Sequence, residues 1–284
     1  MSPAALTTAD GVRLAARWWH PASAGGEAVV VVHGFCGSKE MPDVELVALR
    51  LAAAGHRVLT FDLRGHGRSE GRTTLGFLER LDVDAAVRAA RADHDMVVVV
   101  GASMGGVATI DHLASAHGAD RADVAAVVGV DGDRGRDRAV DGVGDRVADG
   151  GVVVGTPARW QVPRSVRGVL AVALTQTRPG RSLTARRMGT RVAVRPRRGL
   201  PPMERMAAVS RPVAVVHGLD DRFVTPLAAH ELFGAVAEPR LLDVVPGMGH
   251  GFCAAAADPV EAAVGWVVRQ VSDARLNAPP RGRA

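Results

Sequence analysis

The sequence contains few cysteines and few aromatic residues. Two cysteines in 284 residues are too few for a disulfide scaffold or a four-cysteine metal site, and this content is typical of a reducing compartment. Tyrosine is absent and aromatic residues make up only 4%, so platforms that stack on nucleic-acid bases are not expected. The 33 glycines follow no three-residue period and 47% of residues are hydrophobic, which excludes collagen-like and disordered chains.

Long apolar stretches are also missing. No run of about 18 uninterrupted apolar residues occurs, so we expect no transmembrane helix and no membrane partner. Residues 1–10 lack a basic start followed by an apolar run and therefore do not resemble a signal peptide. These absences predict a cytoplasmic protein.

Lysine is nearly absent, and the positive charge is concentrated in one segment. Lys39 is the only lysine beside 34 arginines, a bias that is typical of a GC-rich bacterial gene. Residues 156–211 carry 13 arginines and one acid, Glu204, a net charge of +12, so the remainder must carry 5 − 12 = −7. Because the basic charge is local and aromatic residues are scarce, we expect no nucleic-acid partner. The arginines either reflect codon usage or attract an anionic substrate.

Short apolar runs alternate with helical patterns along most of the chain. The runs are too brief for helices and too uniformly apolar for a half-exposed strand, which is typical of a parallel sheet covered on both faces. Residues 6–19 predict a β-hairpin around Asp10-Gly11. Further strands are predicted at 29–32, 58–61, 97–100, 124–130, 213–216 and 241–245, and helices at 44–54, 75–91, 104–116, 227–236 and 259–271. The alternation predicts an α/β doubly wound fold, mostly parallel, with an N-terminal antiparallel hairpin.

The alternation is interrupted between residues 131 and 211. Aspartates recur every four residues from Asp133 to Asp149, beside valines on another face, which indicates an amphipathic helix. A calcium loop beginning at Asp131 is rejected, because its twelfth position is Gly142 instead of an acidic ligand.

This interruption divides the chain into two parts. Residues 1–130 and 212–284 form the predicted core, and residues 131–211 form a predicted helical cap over the sheet. Some apolar cap residues either line a substrate cavity or pack within the cap: Trp160, Val162, Val166, Leu170, Val172 and Leu174.

The most informative short motif is Gly101-Ala-Ser-Met-Gly105, a G-x-S-x-G pattern. It directly follows the predicted strand 97–100 and begins a predicted helix. A sharp strand-to-helix turn would lift the hydroxyl of Ser103 above the sheet, and the N–H groups of the helix start would lie beside it. The context therefore favours a nucleophilic serine over a glycine-rich packing turn.

A serine nucleophile needs a base, and the base needs a carboxylate to fix its tautomer. Four of the ten histidines lie at strand ends or in glycine-rich loops: His33, His66, His217 and His250. Asp220 and Asp221 follow the predicted strand 213–216, and Asp131 follows the predicted strand 124–130. The order serine, acid, histidine is met by Ser103, any one of these aspartates after it, and His250.

Five segments resemble, in order, the motifs of the α/β-hydrolase family. They are the oxyanion turn His33-Gly34-Phe35, the D-x-R-G-x-G-x-S segment within residues 61–69, the nucleophile elbow at 101–105, the acid loop at 217–226, and Gly249-His250. Outside the cap, the resemblance covers nearly the whole chain. It implies the α/β-hydrolase fold.

The resemblance also implies a role for each motif residue. Asp221 is preferred over Asp220 as the acid, because the family's acid commonly stands four residues after a histidine such as His217. A serine at the elbow argues against the dehalogenase branch, which uses a carboxylate. The implied nucleophile is Ser103, the general base is His250, and the oxyanion donors are the backbone N–H groups of Phe35 and Met104.

Several neighbours of these residues are candidates for supporting roles. His33 and His66 are expected to hydrogen-bond to backbone near the site. Cys36 and Cys253 are either small buried side chains or thiols that line the site. The remaining pocket candidates are Gly34, Ala102 and Trp160.

These residues predict a serine hydrolase that cleaves a small carboxylic ester through an acyl-enzyme. Within enzymes, the alternatives are a thioesterase or lactonase acting on an anionic acyl substrate, or cofactor-free haloperoxidase chemistry. The alternative from another class is a non-catalytic binding protein on the same scaffold. No metal and no organic cofactor is expected, and the sequence does not specify an oligomeric state.

Overall fold

The structure is a computed structural model that describes residues 1–21, 26–115, 147–160, 173–194 and 199–277. These residues form an eight-stranded sheet with the order β1-β2-β4-β3-β5-β6-β7-β8. The strands are β1 Ser2–Thr7, β2 Arg13–Trp19, β3 Glu27–Val32, β4 Arg57–Phe61, β5 Met96–Ala102, β6 Gly150–Val154, β7 Val213–Gly218 and β8 Arg240–Val245. Strand β2 pairs antiparallel with β1 on one side and with β4 on the other, and the other strand pairs of the described sheet are parallel. The predicted fold class is confirmed.

Helices cover both faces of the sheet. They are α1 Pro42–Ala53, α2 Glu79–Arg91, α3 Met104–Ala114, α4 Arg178–Met188, α5 Pro202–Met206, α6 Leu227–Ala235 and α7 Ala257–Leu276, with a 3₁₀ turn at Ala254–Ala256. In β3, Val30 packs in the cluster that includes α2, α3 and α6, whereas Val31 packs in the cluster that includes α1 and α7. Because both faces are buried, the strand is apolar without alternation.

The strand β6 is a correction to the predicted boundaries. Residues 150–154 fall within the predicted cap, but the structure pairs them with β5 and β7 in the middle of the sheet. The local strand signal is weak because Gly150 and Gly151 begin the strand. A Cβ at Gly150 would lie 2.5 Å from Val267 of α7, and one at Gly151 would lie 2.7 Å from Leu113 of α3. Glycine is required because helices approach the sheet closely from both sides.

The structure describes only the end of the segment for which we predicted a strand at 124–130 and an aspartate-rich helix. The predicted strand 124–130, Asp131 and most of the predicted aspartate-rich helix lie outside the described residues. Asp149, at the end of that pattern, is not helical: its N–H donates to Val97 O at 2.8 Å and its Oδ2 accepts the Val97 N–H at 2.8 Å. These two bonds lead the chain into β6.

The helix that we predicted from residue 75 begins four residues later, at Glu79. Leu75 and Gly76 have φ values of 63° and 111°, which a right-handed helix does not allow. The buried Glu79 carboxylate stabilises this turn by accepting the N–H groups of Thr74 and Gly76 at 2.8 and 2.9 Å. The Glu79 carboxylate therefore stabilises the turn that directly precedes the helix.

The chain after β6 contains the described part of the predicted cap. It includes α4 and α5, and an isolated parallel bridge joins Thr73 to Val192. The Arg191 N–H also donates to Gly65 O at 2.7 Å. Residues 161–172 and 195–198 lie outside the described chain. A cap domain remains a prediction, and β6 restricts it to residues after 154.

Candidate active site

The sharp turn between β5 and α3 places Ser103 at the carboxyl edge of the sheet. Ser103 has φ 52° and ψ −114°, a conformation that L-residues rarely adopt. Its N–H donates to Val154 O of β6 at 2.9 Å. A Cβ at Gly105 would lie 2.5 Å from the carbonyl oxygens of Val32 and His33, so the start of α3 passes close to the end of β3. The glycine permits the turn that presents the serine.

His250 joins Ser103 to Asp221. Its Nε2 lies 2.9 Å from Ser103 Oγ, and its Nδ1 lies 2.7 Å from Asp221 Oδ2. An ionised carboxylate only accepts hydrogen bonds, so Nδ1 carries the proton and Nε2 is free to accept from the serine hydroxyl. The three residues come from the elbow after β5, the loop after β7 and the loop after β8, far apart in sequence.

The Asp221 carboxylate is buried and held by several donors. Oδ1 accepts the N–H groups of Phe223 and Val224 at 2.8 and 2.9 Å, and Oδ2 faces His250. Burial would raise the pKa of Asp221, but the hydrogen bonds from His250 and the two amides outweigh it, and the pKa is lowered. The carboxylate is therefore ionised beside the imidazole at neutral pH.

The structure separates the three candidate acids. Asp220 is exposed, and its Oδ2 accepts the Gly247 N–H at 3.0 Å, so it braces the turn before His250. Asp131 lies outside the described residues. Of the described candidates, Asp221 is the one whose carboxylate contacts His250.

The loop after β3 approaches the serine from the side. A Cβ at Gly34 would lie 3.3 Å from Ser103 Cβ and 3.9 Å from its Oγ. Phe35 follows directly in this loop, and Met104 follows Ser103 at the start of α3. Within the described chain, the backbone N–H groups of Phe35 and Met104 have no hydrogen-bond acceptor. Their role as oxyanion donors stays a prediction.

The two histidines expected to bind backbone lie beneath this loop. His33 Nε2 lies 3.0 Å from Leu63 N, and His66 Nε2 lies 3.3 Å from Cys36 N. Both rings are buried. Neither is hydrogen-bonded to Ser103.

The remaining predicted residues have mixed surroundings. Cys36 and Cys253 are half-buried free thiols, and burial raises the pKa of Cys36. Cys36 Sγ lies 3.4 Å from Met188 Sδ at the end of α4. Ala102 is buried at the end of β5. Trp160 is half-buried and its Nε1 donates to Gly199 O at 2.9 Å.

Most of the apolar residues proposed for the cap cavity lie outside the described chain. These are Val162, Val166, Leu170 and Val172. Leu174 is described and half-buried. A cap cavity lined by these side chains stays a prediction.

Sequence reasoning missed two residues near the site. The Phe223 ring lies 5.1 Å from the His250 ring, and no sequence signal marks it beyond its place in the acid loop. The buried Asp62 carboxylate accepts two hydrogen bonds from Lys39, one from the backbone N–H at 2.7 Å and one from Nζ at 2.9 Å. The D-x-R-G-x-G-x-S segment contains Asp62, so its position was available as a signal. This ion pair anchors the far end of the loop that carries Phe35.

No cluster of three or more potential metal ligands occurs among residues 1–21, 26–115, 147–160, 173–194 and 199–277. In the same part of the chain, no helix has both the length and the apolar character needed to cross a membrane.

Comparison with known proteins decides the family. The model of the alpha/beta hydrolase family matches residues 29–265. The chain belongs to the alpha/beta hydrolase family. The match includes the segments that carry Ser103, Asp221 and His250, as the sequence motifs predicted.

Individual relatives are distant. An uncharacterized protein of Mycobacterium tuberculosis is 30% identical over 247 residues, which cover 86% of this chain and 70% of that protein. A protein of Rhodococcus erythropolis named a non-heme haloperoxidase is 26% identical over 274 residues, 90% of this chain and 96% of that protein. The structure of an esterase from Pyrococcus furiosus matches with a TM-score of 0.65 at 18% identity, over 95% of this chain and 91% of that chain. This last likeness shows the fold alone.

Proposed function

We propose that this hydrolase-family protein cleaves a carboxylic ester through an acyl-enzyme intermediate on Ser103. The observation that carries the proposal is the continuous hydrogen-bonded chain from Ser103 Oγ through His250 to the Asp221 carboxylate. Serine is a weak nucleophile until an adjacent base removes its proton, and His250 Nε2 is 2.9 Å from the hydroxyl. This arrangement supports nucleophilic chemistry without a metal or cofactor.

The proposed reaction has two halves. Ser103 Oγ attacks the ester carbonyl while its proton moves to His250 Nε2. The tetrahedral intermediate collapses, the C–O bond to the alcohol breaks, and His250 returns the proton to the leaving alcohol. Water then attacks the acyl-enzyme and gives a proton to His250. The second tetrahedral intermediate collapses, the bond between the acyl carbon and Ser103 Oγ breaks, and His250 returns the proton to Ser103 Oγ as the acid is released.

Two groups of residues stabilise charge in these steps. The ionised Asp221 lies 2.7 Å from His250 Nδ1 and stabilises the imidazolium that forms. The N–H groups of Phe35 and Met104 would bind the oxyanion, which carries full charge only in the intermediate and the flanking transition states. A missing donor at such a position typically costs about 3–4 kcal/mol of transition-state stabilisation.

The choice of ester over other substrates rests on the relatives. Several proteins of similar fold are named esterases, including those from Pyrococcus furiosus and Rhodococcus. A thioesterase or lactonase would use the same three residues. The haloperoxidase name of the Rhodococcus erythropolis relative favours testing perhydrolysis as a second activity. A purely non-catalytic binding role is disfavoured because the hydrogen bonds between the three side chains are intact.

The arginine-rich segment bears on substrate class. Helix α4 contains no acidic residue. Arg178, Arg186 and Arg187 are exposed on it, and Arg181 is half-buried. These arginines could attract an anionic acyl substrate, so the substrate panel includes a carboxylated ester. The cytoplasmic location also stays a prediction.

One experiment tests the proposal directly. Wild type and Ser103→Ala are treated with a fluorophosphonate probe and assayed on p-nitrophenyl esters of graded length, a lactone, an acyl thioester and a carboxylated ester. We expect the wild type to be labelled and to hydrolyse esters, and Ser103→Ala to lose both properties while keeping the wild-type unfolding temperature. Labelling or hydrolysis that persists in Ser103→Ala would overturn the assignment.

A further inference from the structure

Two buried histidines bind the loop after β3 to the loop after β4 in a reciprocal manner. We call residues 33–37 the oxyanion loop. His33 belongs to it and accepts the Leu63 N–H of the other loop, at 3.0 Å. His66 belongs to the other loop and accepts the Cys36 N–H of the oxyanion loop, at 3.3 Å. The two rings meet edge to face with their centroids 5.1 Å apart.

The remaining ring nitrogens fix the tautomers. His33 Nδ1 lies 2.7 Å from Gly34 O, and His66 Nδ1 lies 3.0 Å from Arg64 O. A carbonyl oxygen only accepts, so each Nδ1 carries a proton. A backbone N–H only donates, so each Nε2 must be an unprotonated acceptor. The four bonds are satisfied together only when both rings are neutral.

The surroundings favour the neutral rings. Both side chains are buried, at 1% and 0% exposure. Burial, with the neighbouring His66, lowers the pKa of His33 to about 3, and burial also lowers the pKa of His66. Asp62 and Glu79 oppose this shift at His66, and Arg191 adds to it.

The bonds fix two peptide planes beside the candidate oxyanion donor. Gly34 C=O and Phe35 N–H belong to one planar trans peptide, so the His33 bond to Gly34 O sets the direction of the Phe35 N–H. The Cys36 N–H belongs to the next peptide plane, which His66 holds. Cys36 has a φ of 60°, a left-handed conformation that a cysteine does not favour. The Gly37 N–H closes this turn by donating to Gly34 O at 3.0 Å, and His66 is the side chain that holds the Cys36 N–H within it.

We infer that His66, together with His33, is a positioning residue that keeps the Phe35 N–H aimed at the oxyanion. His66 is fully buried and acts through the backbone of the oxyanion loop. This inference rests on the proposed function, because it assigns a partner to the oxyanion donor of that same reaction.

A pair of amide substitutions tests the inference. In His66→Gln the side-chain oxygen reaches the position of Nε2 and accepts the Cys36 N–H. In His66→Asn the side chain ends near Nδ1 and leaves that N–H unpaired. The matched control is His112→Asn: His112 is also buried, and its Nε2 accepts the Ala148 N–H at 3.0 Å near the other end of α3.

The measurements are kcat and KM for a p-nitrophenyl ester, and the inhibition constant of an aryl trifluoromethyl ketone, whose serine adduct carries an oxyanion. We expect His66→Asn to lose about 10–100-fold in kcat, part of the 10²–10³ of a whole missing donor, with little change in KM. Its inhibition constant rises in parallel. We expect His66→Gln and His112→Asn to keep both values near wild type, although His112→Asn lowers the unfolding temperature.

The outcomes are separable. A folded His66→Asn with wild-type kcat and ketone affinity overturns the inference, as does an equal loss in His112→Asn. If His66→Asn does not fold, His66→Gln decides: a kcat near wild type supports the inference and a tenfold or greater loss, about 1.4 kcal/mol, overturns it. If the wild type shows no Ser103-dependent hydrolysis, the proposed function itself fails.

Discussion

Replacing Asp221 by asparagine changes one atom in a site whose hydrogen bonds dictate how the new amide must lie. Oδ1 accepts two backbone N–H groups, from Phe223 and Val224, so the amide oxygen of asparagine must occupy that position. The amide nitrogen then takes the place of Oδ2, 2.7 Å from His250 Nδ1. Because the amide nitrogen donates, Nδ1 has to accept, and the imidazole proton moves to Nε2.

The predicted loss follows from this tautomer. With Nε2 protonated, the atom 2.9 Å from Ser103 Oγ can no longer take the serine proton. An asparagine in this role in other serine hydrolases lowers kcat by about 10⁴, which corresponds to about 5.5 kcal/mol. Substrate binding does not depend on the tautomer, so we expect KM to change little. The fluorophosphonate labelling rate is expected to fall with kcat.

Asp220→Asn is the matched control, because Asp220 is the adjacent carboxylate and its asparagine oxygen can still accept the Gly247 N–H. Both variants are purified, their unfolding temperatures are compared with wild type, and kcat and KM are measured on the best ester of the panel. We expect Asp220→Asn to behave like wild type. The reasoning is refuted if a folded Asp221→Asn keeps kcat within tenfold of wild type, or if Asp220→Asn shows the larger loss.

Two further predictions concern stability. The pKa of His33 is about 3 in the folded protein and about 6.5 in the unfolded chain, so acidification protonates the unfolded chain first. The stability that the neutral ring contributes is therefore fully present above pH 6.5. It is lost as pH falls below 6.5, by about 1.4 kcal/mol per pH unit. Burial raises the pKa values of Asp82 and Asp111, so these groups make the folded protein more stable as pH falls and oppose the effect of His33. The test therefore compares the free energy of unfolding of wild type with that of His33→Gln, by urea denaturation from pH 8 to 5. A difference between the two proteins that does not depend on pH would contradict the prediction. Gly105→Ala is expected to lower the free energy of unfolding by about 1–3 kcal/mol or more, since its Cβ would lie 2.5 Å from two carbonyl oxygens. Gly234→Ala, in α6 with no atom within 4 Å of its Cβ, is the control and is expected to be neutral or stabilising, so equal losses in the two variants would contradict the steric explanation.

The strands and the elbow were predictable because their signals are local. Runs such as 29–32 and 97–100 are apolar at every position, as strands covered on both faces require. The motif around Ser103 contains the glycines that its turn demands. Gly105 is one of them, because a Cβ there would lie 2.5 Å from the carbonyl oxygens of Val32 and His33. The predicted order of motifs agrees with the family that the comparisons establish.

Other features depend on contacts between distant segments. The strand β6 was missed because its two glycines weaken the local signal, and the need for glycine arises from Val267 and Leu113 on helices that pack from opposite faces. The choice between Asp220 and Asp221 also had no local basis beyond a spacing. In the structure the Asp221 carboxylate is buried against His250, whereas the exposed Asp220 carboxylate accepts the Gly247 N–H.

By itself, the sequence determined the α/β class, the family motifs and the identity of the serine and histidine candidates. These depend on periodicity and on residues within a few positions of one another. The tertiary structure decided which aspartate meets His250, where the central strand β6 lies and how His33 and His66 hold the oxyanion loop. Each of these depends on contacts between residues 29 or more positions apart, which only the folded chain brings within hydrogen-bonding range.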